Sequence, residues 1–188
     1  MEITKIKYPV LLIGPAYSGK SDYAPQTLNP EQDALVLATG SPEDDNLKQR
    51  IAALKESRPS AWDLQEGCDH LLERLEEGLK HYDQILLDAV NLWLSHRLLE
   101  LLLRHDLQQV ETAIFHEGQK LAELIQKSET DQKRIVLITS ENAAGIAPPL
   151  PVARSFRRLV SLINQKLATS SPTVISFTAG IPSVLRGA

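Results

Sequence analysis

The stretch Gly14-Pro15-Ala16-Tyr17-Ser18-Gly19-Lys20-Ser21 follows the apolar run YPVLLI and fits the pattern G-x-x-x-x-G-K-[ST]. This spacing constrains the fold more than any other feature of the chain. Glycines let the backbone turn tightly and let a ligand come close, so main-chain N–H groups can curl around an anion. A lysine after the second glycine puts positive charge beside β- and γ-phosphates, and the next hydroxyl can ligate Mg²⁺. The loop needs a buried strand before it and a helix after it, whose N-terminal dipole of roughly half a charge faces the same anion. Both neighbours are present. The helix must be short, because Pro25 and Pro30 follow closely.

The rest of the chain alternates in the way such a loop requires. Tyr8–Ile13, Ala34–Thr39, Gln84–Leu87, Arg134–Thr139 and Thr173–Phe177 read as short, continuously apolar strands covered on both faces. Between them, Asp69–Lys80 carries Leu71, Leu72, Leu75 and Leu79 on one stripe. Asn91–Arg104, Leu107–Gln126 and Val152–Ala168 are further helices, the last starting after the breaker APPLP. Asn91–Arg104 is the most apolar. It reads as a core helix or, where partly exposed, as an oligomer contact. The alternation implies an α/β fold of the P-loop NTPase type, a largely parallel sheet with helices on both faces. No repeat or low-complexity linker interrupts it, so residues 1–188 are expected to form one nucleotide-binding domain.

Composition excludes several classes. A net charge of −4 argues against a nucleic-acid backbone as the main partner, which would need a basic face. No apolar run approaches the roughly 18 residues of a membrane helix, and MEITKIKYPV lacks a cleavage-site pattern. The single cysteine, Cys68, cannot form an internal disulfide, so a reducing cytoplasm is the expected location. Cys68 itself reads as a small buried residue rather than a reactive thiol.

A phosphate loop that works with Mg²⁺ needs a further acidic group at a neighbouring strand end. Asp88 in QILLDAVNLW stands where an apolar strand should stop, and reads either as that group or as the N-cap of the next helix. Thr39 in LVLATGS ends another strand at the same edge, where ligands bind in open α/β sheets.

These pieces occur in an order that resembles the bifunctional cobinamide kinase and cobinamide-phosphate guanylyltransferase family. The resemblance is carried by the N-terminal phosphate loop, VLATGSPEDDNLKQRI, ESRPSAWDLQEG, LLDAVNLWLSH, ITSENAAGIAPPLPVARSFRRLVSLINQKLA and AGIP. It implies GTP or ATP with Mg²⁺ as cofactors, and a corrinoid, cobinamide, as phosphoryl acceptor. By position, the implied nucleotide contacts are Gly14, Pro15, Ala16, Tyr17, Ser18, Gly19, Lys20, Ser21, Ala38, Thr39, Gly40, Arg58, Glu66 and Asp88. Lys20 and Asp88 are the implied catalytic residues, and Ser21 and Asp88 the metal ligands. The family also implies a homo-oligomer, a trimer, with active sites between subunits.

The sequence departs from the family at points that matter. Arg50-Ile51 and Arg58-Pro59 keep the spacing around the histidine that accepts GMP, but Leu54 fills its place. Leucine has no nucleophilic atom, so covalent guanylyl transfer is impossible at that residue. His70, His81, His96, His105 and His116 read as solvated and do not replace it. Tyr17 stands for an arginine, Asn46 for a glutamate, Ser140 for an asparagine and Arg158 for an aspartate. Lys20, Ser21 and Asp88 remain, and they suffice for phosphoryl transfer, which rests on positioning and charge neutralisation. Glu141 is a candidate base for the acceptor hydroxyl, or a helix-terminal carboxylate. The expectation is a kinase without guanylyl transfer; the alternative is a non-catalytic GTP- or corrinoid-binding relative. A third reading, an unrelated kinase with RSFRR as an arginine lid, fits the motif order less well.

Overall fold

A computed structural model describes residues 6–40, 59, 61–141 and 145–187. In chain order these form β1 (Val10–Gly14), α1 (Lys20–Tyr23) with a 3-10 turn at Ala24–Thr27, β2 (Ala34–Ala38) and β3 (Trp62–Glu66). Then come α2 (Leu71–His81), β4 (Gln84–Asp88), α3 (Val90–Leu102), α4 (Leu107–Thr130) and β5 (Arg134–Ser140). The remaining elements are α5 (Pro151–Thr169), β6 (Thr173–Thr178) and β7 (Ile181–Arg186). All seven described strands join one sheet in the order β3-β2-β4-β5-β1-β6-β7, parallel except for the antiparallel β7.

That order decides how the faces are covered. The chain runs from β1 across to β2 and the edge strand β3, then returns through β4 and β5 to β6. Parallel crossovers keep one hand, so reversing the direction of travel moves the connecting helices to the other face. The four long helices accordingly share one face. Leu11, Leu35, Leu37, Leu87, Ile135 and Leu137 point into it and meet Leu75, Trp93, Ile114, Leu121, Ile163 and Leu167. The alternate residues Val10, Leu12, Val36, Leu86, Val136 and Ile175 point the other way, toward Ala24, Leu28 and Trp62. Helices on both faces were expected. Among the described residues the second face has only α1 and its 3-10 turn.

Local chemistry fixes the helix ends. Asp106 and Gln109 form a reciprocal capping box at the start of α4, the Gln109 N–H donating to Asp106 Oδ1 at 2.9 Å. Pro151 opens α5. Gly118 lets α4 approach α5: a methyl there would lie 2.5 Å from Ile163. No helix among the described residues is long and apolar enough to cross a membrane.

Two strands escape the sequence reading. Trp62–Glu66 and Ile181–Arg186 are the sheet's edges, and only Trp62 in them is fully buried. Half-exposed edge strands lack the continuous apolar run that marks the central ones. β7 follows β6 through Ala179-Gly180, both at positive φ (51° and 82°), the mirror-image turn suited to a two-residue hairpin.

Candidate active site

The phosphate loop leaves β1 at Gly14 and enters α1 at Lys20. Gly14 has no room for a side chain, since a Cβ would lie 2.6 Å from the Phe177 carbonyl oxygen and 3.2 Å from Ser18 Oγ. Gly19 takes φ 91° before the helix, and Tyr17 holds φ 59° with its side chain 85% exposed at the loop's rim. Pro15 and Ala16 are exposed and Ser18 is buried. Lys20 is only 5% exposed and folds back into the loop. Its Nζ donates to the Gly14 carbonyl at 2.9 Å, the Pro15 carbonyl at 2.7 Å and Ser18 Oγ at 3.3 Å. The ammonium is therefore held inside the concavity of the loop. α1 is a single turn before Pro25 sets the 3-10 segment. The short helix expected from Pro25 is the one observed. With so few aligned peptides, attraction for an anion falls mainly to the loop N–H groups and Lys20.

Four other strand ends lie along the sheet edge from which this loop departs. Ala38 pairs with Asp88 and with Glu66, while Gly14 pairs with Ser140. Ser21 Oγ donates to Asp88 Oδ1 at 3.3 Å. The hydroxyl and carboxylate are hard oxygen donors, the kind Mg²⁺ takes when phosphates and water complete its shell, and they fit that ion. Asp88 does not cap the next helix. Ala89 occupies the N-cap position of α3, with no side-chain cap.

Thr39 is buried between these ends, and its hydroxyl donates to the Ala89 carbonyl at 2.6 Å while accepting from the Ala89 N–H at 2.8 Å. Gly40 is buried and Glu66 exposed at the same edge. Arg58, Asn46 and Leu54 lie outside the described residues.

Cys68 Sγ donates to the Thr39 carbonyl at 2.9 Å. Burial pushes the thiol up to about 11, aided by the nearby Asp69 carboxylate. At neutral pH the thiolate is about one part in ten thousand, so Cys68 is expected to react with iodoacetamide at least about a hundredfold more slowly than an ordinary thiol. The rate should rise about tenfold per pH unit until pH approaches the thiol's value. Fast labelling at pH 7 would contradict this.

Glu141 follows β5, and its N–H donates to the Gly14 carbonyl at 3.3 Å. It is exposed, and the next described helix, α5, begins at Pro151 after Pro148 and Pro149. Asn164, missed by residue-level reasoning, reaches from α5 to this corner. It accepts from Thr139 Oγ1 at 2.8 Å and donates to the Ser140 carbonyl at 3.0 Å, fixing the strand end beside the loop. A buried Asn whose amide ends are both satisfied holds one geometry, but its sequence gives no sign of its partners.

RSFRR does not form a lid. Arg154 donates to the Pro148 and Pro149 carbonyls, and Arg157 to those of Gly145 and Ile146, so both fasten the preceding loop. Arg158 pairs with Glu111 of α4 at 2.5 Å. A hydrogen bond from Ser155, then the Arg158 guanidinium, hold the Glu111 carboxyl below its ordinary value. Arg158→Asp would place two carboxylates together, and is expected to destabilise the fold by about 1 kcal/mol in low-salt denaturant titration. The five histidines are all exposed.

Residues 10–185 match the family described as cobinamide kinase / cobinamide phosphate guanyltransferase. The chain belongs to that family. Within it, the chain is 32% identical over 177 residues to the bifunctional adenosylcobalamin biosynthesis protein CobU of Salmonella typhimurium, covering 92% of this chain and 96% of the relative. It is 30% identical to the protein of the same name from Escherichia coli, with the same coverage. It is 29% identical over 179 residues to the bifunctional adenosylcobalamin biosynthesis protein CobP of Pseudomonas aeruginosa. The cobinamide kinase family resemblance read from the sequence thus holds almost end to end.

Proposed function

We propose that this protein is an NTP-dependent adenosylcobinamide kinase of cobalamin biosynthesis that has lost guanylyl transfer. One observation carries the reading. Lys20, held inside the phosphate loop, lies next in sequence to Ser21, whose hydroxyl meets Asp88 Oδ1 at 3.3 Å. GTP or ATP would place its phosphates in the loop. Mg²⁺ held by Ser21 and Asp88 would supply Lewis-acid neutralisation of phosphate charge. Lys20 exchanges its carbonyl partners for phosphate oxygens and balances the charge that builds on them. Glu141, exposed at the same edge, accepts the proton of the corrinoid's side-chain alcohol as its oxygen attacks the γ-phosphorus, the bond to the β,γ-bridging oxygen breaks and the nucleoside diphosphate leaves.

The second family activity needs a nucleophile at position 54, and leucine offers none. Incubation with cobinamide and GTP labelled at either the α- or the γ-phosphate tests both halves. Expected is γ-label on cobinamide and no α-label on the denatured protein. Retained α-label would overturn the loss of guanylyl transfer. A second reading, a binding protein without turnover, is favoured by Tyr17 in place of a cationic residue at the loop; nucleotide binding without γ-label transfer would establish it. We further place the protein in the cytoplasm as a single-domain homo-oligomer, a trimer. The outer stripe of α3, exposing Leu92 and Leu99 and continued by Leu103 at its C-cap, supports association, which light scattering would test.

A further inference from the structure

The geometry points to Thr39 as a positioning residue for the Asp88 carboxylate rather than a nucleotide contact. Thr39 is 1% exposed, so it has almost no surface to offer a ligand. Its polar groups are committed within the protein. The N–H donates to the Asp88 carbonyl at 2.8 Å, and the carbonyl accepts from Cys68 Sγ at 2.9 Å. The hydroxyl both donates to the Ala89 carbonyl (2.6 Å) and accepts from the Ala89 N–H (2.8 Å).

Three bonds from one residue thus grip the two residues at the end of β4, where the sheet's own ladder gives out. Asp88 is the last residue of that strand and Ala89 the N-cap of α3, with no side-chain cap to hold it. A carboxylate at a strand terminus swings with the peptide that follows it. Its aim at Ser21 Oγ is only as fixed as Ala89, and within the described residues Thr39 is the side chain that bonds both polar atoms of Ala89. Supports of this kind, one shell removed from a metal, set affinity by orienting the ligand.

This inference rests on reading Asp88 as a metal ligand, and the test separates the two. Mn²⁺ affinity of the full chain saturated with GTP, without cobinamide, is measured by electron paramagnetic resonance for wild type, Thr39→Val, Thr39→Ser, Asp88→Ala and Thr39→Val/Asp88→Ala. Metal-free GTP affinity is measured in EDTA. Thr39→Val should weaken Mn²⁺ binding about 10- to 100-fold. It should leave metal-free GTP affinity unchanged, and add nothing once Asp88 is alanine, because the two act as a unit. Thr39→Ser keeps the hydroxyl and should restore the affinity. Thr39→Ala takes the place of Thr39→Val should circular dichroism show that variant unfolded. Loss of metal-free GTP binding in Thr39→Val, or a further loss of Mn²⁺ affinity in the double variant, would overturn the inference alone. Unchanged Mn²⁺ affinity in Asp88→Ala would overturn the metal reading of Asp88, and the inference with it.

Discussion

Lys20→Ala is expected to lower γ-phosphoryl transfer to cobinamide by at least about a hundredfold to a thousandfold, the scale found when one preorganised electrostatic group is removed from a reacting centre. The loss should fall mainly on turnover. Charge neutralisation is needed most as the phosphoryl group separates from its leaving oxygen, while the loop N–H groups still hold the ground-state phosphates. Lys20→Arg should not rescue it. The Nζ sits among Gly14 O, Pro15 O and Ser18 Oγ within 3.3 Å, and a planar guanidinium is too wide for that concavity. Single-turnover γ-label transfer measures the effect; a Lys20→Ala protein with wild-type rates would remove the kinase reading.

Trp93→Ala carries the largest expected cost in stability, about 3–5 kcal/mol. The side chain is 1% exposed among the large hydrophobic residues between α3 and the sheet. For a chain of this size that corresponds to a fall in melting temperature of roughly 6 to 20 °C. The effect should extend to the site, because the Trp93 side chain anchors the first turn of α3, whose N-cap Ala89 follows Asp88 directly. Trp93→Phe keeps most of the volume and should recover the greater part of the loss. Thermal unfolding followed by circular dichroism checks both variants.

The central sheet and the phosphate loop were readable because their chemistry is local. An apolar run and a glycine-lysine pattern state their requirements within a dozen residues. Asp88 was readable for the same reason, as a carboxylate ending QILL. What escaped depends on residues far apart in sequence. WDLQE and IPSVLR are edge strands whose polar residues face water, so they carry no buried run. Thr39 reads as a strand-end residue at the ligand edge; that its hydroxyl bonds the backbone of Ala89 has no sequence signature. The Arg158 charge reversal looks like damage to a site until α4 and α5 are packed together and Glu111 is found opposite. The start of α5 was legible from the APPLP breaker.

The position of β1 between β5 and β6 has a consequence for how the protein comes into being. Val10–Gly14 is synthesised well before its hydrogen-bonding neighbours, Val136–Ser140 and Thr173–Ser176. Until those emerge from the ribosome, the glycine turn has no walls: the Phe177 carbonyl that abuts Gly14 and the Gly180 backbone beside Gly19 are both still to come. Long-range parallel pairing of this kind is slow and leaves apolar strand edges open meanwhile. Nucleotide capture should therefore wait for β6 and the turn after it, and a chain halted on the ribosome before β6 is released should not retain GTP.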